Sequence, residues 1–229
     1  MTDIILTLLA AVLAITLHEA AHGYAALALG DDTAKRAGRL SLNPLVHVDR
    51  VGTILLPGIL LIGQLLTLHR VAFMFGWAKP VPVGAWRFAN PRRGMMWVAM
   101  AGPAMNFLLA WIGGLAFHLL AAMPAGLHVY GVDFLSAFII TNLVLGLFNL
   151  IPIPPLDGGR IAVGLLPEAA AQVWARAERY GILVVLLVVF LLPELGRQFG
   201  FAFNPVGAAL DRVLPAALRV VLILSGNHP

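Results

Sequence analysis

The chain has 229 residues, of which 60% are hydrophobic and only 11% charged, with a mean hydropathy of +0.91. Soluble domains carry about 25% charged residues, so this composition excludes an ordinary soluble fold and predicts an all-α polytopic membrane protein with about five to six membrane segments. The formal charge of +4 does not indicate nucleic acid, because the Lys and Arg gather in loops between apolar runs, and the absence of cysteine excludes disulfides and thiolate ligands, leaving His, Asp, Glu or Asn to hold any metal.

The first apolar run, about Ile4 to Leu29, is long enough at about 1.5 Å per residue to cross the hydrocarbon with tilt. Gly30-Asp31-Asp32 ends it. Asp3 stands where a signal peptide would have a basic region, so the run is read as a retained span. A basic segment with Lys35, Arg36, Arg39 and Arg50 follows, then a second apolar run from Val51 to Leu68, interrupted by Pro57, Gly58 and Gly63. After a Pro-rich basic loop with Arg70, Lys79, Arg87, Arg92 and Arg93, a third span covers about Met95 to Ala122. The linker 123–132 has no Lys or Arg. The fourth span, about Asp133 to Ile151, breaks at Pro152, Pro154 and Pro155. Arg160, Arg176 and Arg179 lie in a stretch that reads as a short surface helix, and further apolar runs cover Ile182 to Leu192 and about Val206 to Leu224. The whole is read as a single domain, 1–229, with a core of about 4–160 and C-terminal helices over about 161–226.

Basic loops tend to remain cytoplasmic. Placing 31–50, 69–93 and 157–179 there makes the first span run out-to-in, the third in-to-out and the fourth out-to-in. Residues 51–68 then have both ends on one side, which favours a re-entrant segment over a full crossing.

Chemistry enters at His18-Glu19-Ala20-Ala21-His22, inside the first span. On a helix His18 and His22 stand one turn apart and present both imidazoles to one side, with Glu19 adjacent. Two histidines that bind zinc and a glutamate that acts as general base form the arrangement of a hydrolytic site. Ionisable groups at membrane depth are rare and usually functional. A hydrolytic zinc takes three protein ligands, and Asp157 is the strongest candidate for the third: three prolines unwind the chain before it and Gly158-Gly159 permit a tight turn after it. The competing reading makes Asp157 the cap of a following helix. Asp133, Asp49 and His47 read as solvated, and His228 as part of the terminal tail. Charge placement brings His18, His22, Asp157 and Gly102 to Asn106 toward the cytoplasmic side at similar depths.

HEAAH at 18–22, GPAMN at 102–106 and NLIPIPPLDGG at 149–159, with SLNPLVHVD and GWAKPVPV between them, resemble the site-2 protease family of intramembrane zinc metalloproteases over about Leu13 to Arg160. The resemblance implies one Zn2+ held by His18, His22 and Asp157, with Glu19 as the catalytic carboxylate and Asn149 as an oxyanion or substrate-orienting group. Asn106 is carried over only as a neighbour of the site. The form expected is a compact one, without a PDZ or nucleotide-sensing domain. The expected partners are a single-span membrane protein substrate and the lipid bilayer of a prokaryotic cell. Extended edges near 43–48 or 78–83 are candidates for holding a substrate by strand addition. The alternative is a membrane ion or metal transporter using the same His, Glu and Asp cluster.

Overall fold

The computed structural model describes residues 2–70, 76–200 and 203–227, and these are helical with no strand among them. The helices are α1 (Thr2–Ala28), α2 (Thr33–Arg36), α3 (Leu56–Leu68), α4 (Pro91–Ala116), α5 (Ala125–Asn149), α6 (Asp157–Leu165), α7 (Glu168–Ala177), α8 (Gly181–Leu186), α9 (Leu192–Gln198) and α10 (Pro205–Leu224). Five helical stretches among the described residues are long and apolar enough to cross a membrane: Ile4–Ala28, Arg50–Thr67, Pro91–Ala122, Ala125–Asn149 and Glu168–Gln198. The chain is therefore a multi-pass membrane protein, as the composition predicts.

Local chemistry sets the helix ends. α1 stops at Gly30, whose φ of +97° suits glycine, and the Asp31 N–H returns to Ala26 O (2.8 Å). α4 begins where the Asn90 side chain accepts from Arg93 N–H (3.0 Å) and Pro91 occupies the first turn. α5 ends just before Pro152, which cannot continue the ladder.

α1, α4 and α5 pack mutually and form the centre of the molecule. The buried face of α1 is built of small residues, with Ala10 and Ala14 fully buried, while Ile4, Ile5, Leu8 and Val12 are exposed. In lipid, apolar side chains lose nothing by facing outward, and small residues let helix backbones approach closely. Ala10, Leu109 and Phe138 bring the three helices together in one cluster, and Ala110, Ile139 and Leu143 join Val221 of α10 in another. His18 and His22 contact Asn106 and Val98 in reverse order, so α4 runs opposite to α1. Gly113 lies against Ile139 and Gly146 against Phe107, so α4 also runs opposite to α5. These relative directions are the ones the charge pattern predicts.

Three expectations change. Residues 44–47 form a 3-10 turn rather than an extended edge, because Asn43 caps it and Pro44 sits in its first turn. The fifth span is longer than Ile182 to Leu192: α7, α8 and α9 continue into one another over Glu168–Gln198, so the stretch read as a separate surface helix leads straight into the span. α10 carries Asp211, Arg212 and Arg219 and is not among the five crossing stretches. The second apolar run starts in a π-helical turn at Arg50–Leu55 and continues as α3. By Gly76 the chain is back beside its beginning, where Trp77 N–H donates to Gly52 O (3.1 Å) and Thr53 Oγ1 donates to Trp77 O (2.9 Å). Residues 50–68 thus form one continuous helical stretch, long enough to cross rather than broken at Pro57, Gly58 or Gly63, and the later segment around Trp77 packs against its first turn.

Candidate metal centre

The site is assembled from one helix face, one helix groove and one unwound loop. α1 turns His18 and His22 toward α4, with the rings 4.6 Å apart and nearly perpendicular. Each ring is oriented through Nδ1. His18 Nδ1 lies 2.6 Å from Asn106 Oδ1, and His22 Nδ1 lies 2.7 Å from Val98 O. Both oxygens can only accept, so in the neutral imidazoles the proton sits on Nδ1 and the Nε2 lone pairs are bare. Those two Nε2 atoms are 3.1 Å apart.

Asp157 completes the cluster. Its Oδ2 lies 3.2 Å from His18 Nε2 and 3.4 Å from His22 Nε2, yet it makes no hydrogen bond. Bare nitrogens and a carboxylate oxygen at such spacing repel one another unless a cation lies among them. Ligands about 2.0–2.1 Å from a tetrahedral zinc would be separated by about 3.3–3.4 Å, which the observed spacings approach. The donor set therefore fits a zinc ion. Asp157 opens α6 without capping it, since no side chain caps this helix. Glycine is required just after it, because a Cβ at Gly158 would lie 2.3 Å from Leu150 O and 2.4 Å from Ile151 O.

Gly102 of α4 faces the two imidazoles. A Cβ there would come within 2.5 Å of the His22 ring and 2.6 Å of the His18 ring. Asn106, one turn further on, is fully buried and bonds His18 directly. Its Nδ2 donates to Asn142 Oδ1 (2.9 Å), and Asn142 Nδ2 donates to Phe138 O (2.9 Å).

Glu19 lies beside the cluster, and its Oε2 accepts from Val81 N–H (3.2 Å). Val81 belongs to the extended segment 76–84, which is tied down along its length. Lys79 N–H donates to His47 O (2.8 Å), Arg39 donates to Lys79 O (2.7 Å) and Gly84 N–H donates to Asp31 Oδ2 (2.6 Å). Asp31 is fully buried at the end of α1 and accepts from Thr33 as well. Burial alone would raise its carboxyl, but the Thr33 hydroxyl, the Gly84 and Thr33 N–H groups and the Arg87 guanidinium hold it below the usual carboxylate range.

Asn149 stands at the last turn of α5, and its amide donates to Leu145 O of the same helix (3.0 Å) rather than toward the three donors. His47 is buried rather than solvated, with Nε2 2.9 Å from Ser41 O. His228 falls outside the described residues. Sequence reasoning missed Asn142, Asp31 and Val81. Asn142 carries a signal in retrospect, as an amide in the middle of an apolar span. Val81 acts through its backbone, which no side-chain pattern reports.

Comparisons with known proteins bear on this geometry. The profile of Peptidase family M50 matches residues 125–192. YwhC of Bacillus subtilis (strain 168), by name a candidate zinc metalloprotease, is 44% identical over 193 residues, covering 80% of this chain and 78% of its own. Rip2 of Mycolicibacterium smegmatis, named in the same way, is 32% identical over 197 residues, covering 82% of this chain and 67% of its own. A zinc metalloprotease of Methanocaldococcus jannaschii is 32% identical over 78 residues, covering 34% of this chain and 22% of its own. No solved structure gives a significant match.

Proposed function

The chain belongs to the site-2 protease family, peptidase family M50, and from that premise we propose that this zinc metalloprotease hydrolyses peptide bonds within or near the transmembrane segment of membrane protein substrates. His18, His22 and Asp157 are the metal ligands in this reading and Glu19 the catalytic carboxylate. The observation that carries it is the convergence of His18 Nε2, His22 Nε2 and the unbonded Asp157 Oδ2 within 3.1–3.4 Å, beside a carboxylate on the same helix.

Zinc supplies Lewis acidity toward a peptide carbonyl and toward water. Glu19 takes a proton from the attacking water and delivers it to the leaving amide nitrogen. The Val81 N–H holds one oxygen of Glu19 and leaves the other for water. Asn149 supports the reacting carbonyl by exchanging its Leu145 bond for one to substrate. The α1, α4 and α5 packing encloses the site, and the basic loops support a location toward the cytoplasmic face of a prokaryotic cell membrane in this reading. A helical substrate must unwind locally to offer its carbonyl.

Comparative mass spectrometry of membrane fragments from cells expressing wild-type or Glu19→Gln protein tests this reading. Fragments ending within or beside transmembrane segments are expected with the wild type and absent with the variant. Equal fragment sets from both would overturn it.

A further inference from the structure

α1, α4 and α5 each carry one polar side chain of a buried line that ends on the candidate ligand His18. The line starts at the carbonyl of Phe138, a backbone oxygen that can only accept. Asn142, one turn later on α5, donates Nδ2 to it (2.9 Å), and this turns Asn142 Oδ1 toward α4. That oxygen accepts from Asn106 Nδ2 (2.9 Å), which leaves Asn106 Oδ1 facing His18 Nδ1 at 2.6 Å. Asn106 Nδ2 has a second, longer contact to Ala14 O at 3.4 Å. Both asparagines are fully buried.

An amide is nearly symmetric in shape and opposite in chemistry at its two ends. A flipped Asn106 would put an N–H donor against His18 Nδ1, move the imidazole proton to Nε2 and remove the lone pair a metal needs. Asn142 prevents the flip, because a flipped Asn106 would set two carbonyl oxygens against each other. We propose that Asn142 is a positioning residue of the metal centre: acting through Asn106, it fixes the tautomer of His18 that leaves Nε2 free for zinc. This rests on the zinc reading of His18, His22 and Asp157.

The test is zinc affinity, measured on the full chain in detergent micelles by competition with a chromophoric chelator. Wild type and His22→Ala come first: equal affinity in those two would refute the metal site itself, separately from any role of Asn142. Asn142→Leu removes the orienting acceptor. Asn142→Ser keeps a hydroxyl for Phe138 O but falls short of Asn106, and it tests the same point with less risk to folding. Loss of a hydrogen-bonded partner behind a metal-binding histidine typically weakens metal binding by about 10–100-fold, and a loss of that size is expected in both. Asn106→Asp offers His18 an acceptor whichever way it turns, so adding it to Asn142→Ser should restore the affinity. A purely packing role would show no such rescue. Wild-type affinity in Asn142→Ser, or a loss that Asn106→Asp does not reverse, would overturn the proposal.

Discussion

Gly102 leaves room for two imidazoles on its face of α4 and for no carbon of its own. Gly102→Ala is expected to displace His18 and His22 together, so zinc content and proteolysis should fall in parallel while the helices persist. The overpacking itself costs about 1–3 kcal/mol, readable as a lowered Tm in detergent. Asp31 gives a pH prediction. Its carboxyl lies below the usual range in the folded protein, so it contributes stability above its unfolded value of about 3.9 that is lost as pH falls through the lower folded value. In that window the unfolded chain binds more protons, and stability rises with pH. Thermal melts across the acid range should therefore show a flatter decline for Asp31→Asn than for wild type, and an unchanged slope would remove Asp31 as the anchor of Gly84. At this scale the sequence was most legible where chemistry repeats at helical spacing, as with His18 and His22. It was least legible where a contact joins distant segments through backbone, as between Glu19 and Val81, 62 residues apart.

The unwound stretch between α5 and α6 decides where Asp157 stands. Prolines at 152, 154 and 155 announce the break, but its path is fixed by the close approach of Gly158 to the carbonyls of Leu150 and Ile151. A Cβ there meets backbone rather than a movable side chain, so Gly158→Ala should shift Asp157 out of line with the imidazoles. The expected result is a chain that keeps its helical circular dichroism but loses the rise in Tm that zinc gives the wild type. An undiminished zinc-dependent rise would contradict the tight turn. The segment 76–84 shows the opposite balance. Its prolines suggest a strand edge or a connector, and it is extended without pairing to any strand among the described residues. Trp77, Lys79 and Val81 bond inward, which leaves Pro80 and Pro82 on the outer edge without N–H groups. That alternation follows from packing on α1 and on the start of the second apolar run, and neither neighbour can be read from the segment itself.

Across the whole molecule, three packed helices, α4 running opposite to α1 and α5, place a polar centre where an apolar composition leaves few ways to satisfy it. The alternation of these helices, though not which end faces inside, agrees with the loop charges, because Lys and Arg bias loops to one side. Residues 51–68 were legible only as two alternatives, re-entrant or crossing, and they form one continuous helix of crossing length with Trp77 packed against its first turn. Because the chain has no cysteine, single-cysteine variants give a clean topology readout. Cysteine at Arg36, Arg92 or Arg176 should be shielded from an impermeant thiol reagent in intact cells, and cysteine at His128 should be labelled; the reverse pattern would invert the orientation. The central claim is that the three converging donors and Glu19 form one hydrolytic centre. Its most direct test is cleavage of a single-span substrate by purified, reconstituted protein, with zinc content measured on the same samples. The account predicts that Glu19→Gln retains zinc at the wild-type level and releases no fragments, whereas undiminished cleavage by that variant would contradict it.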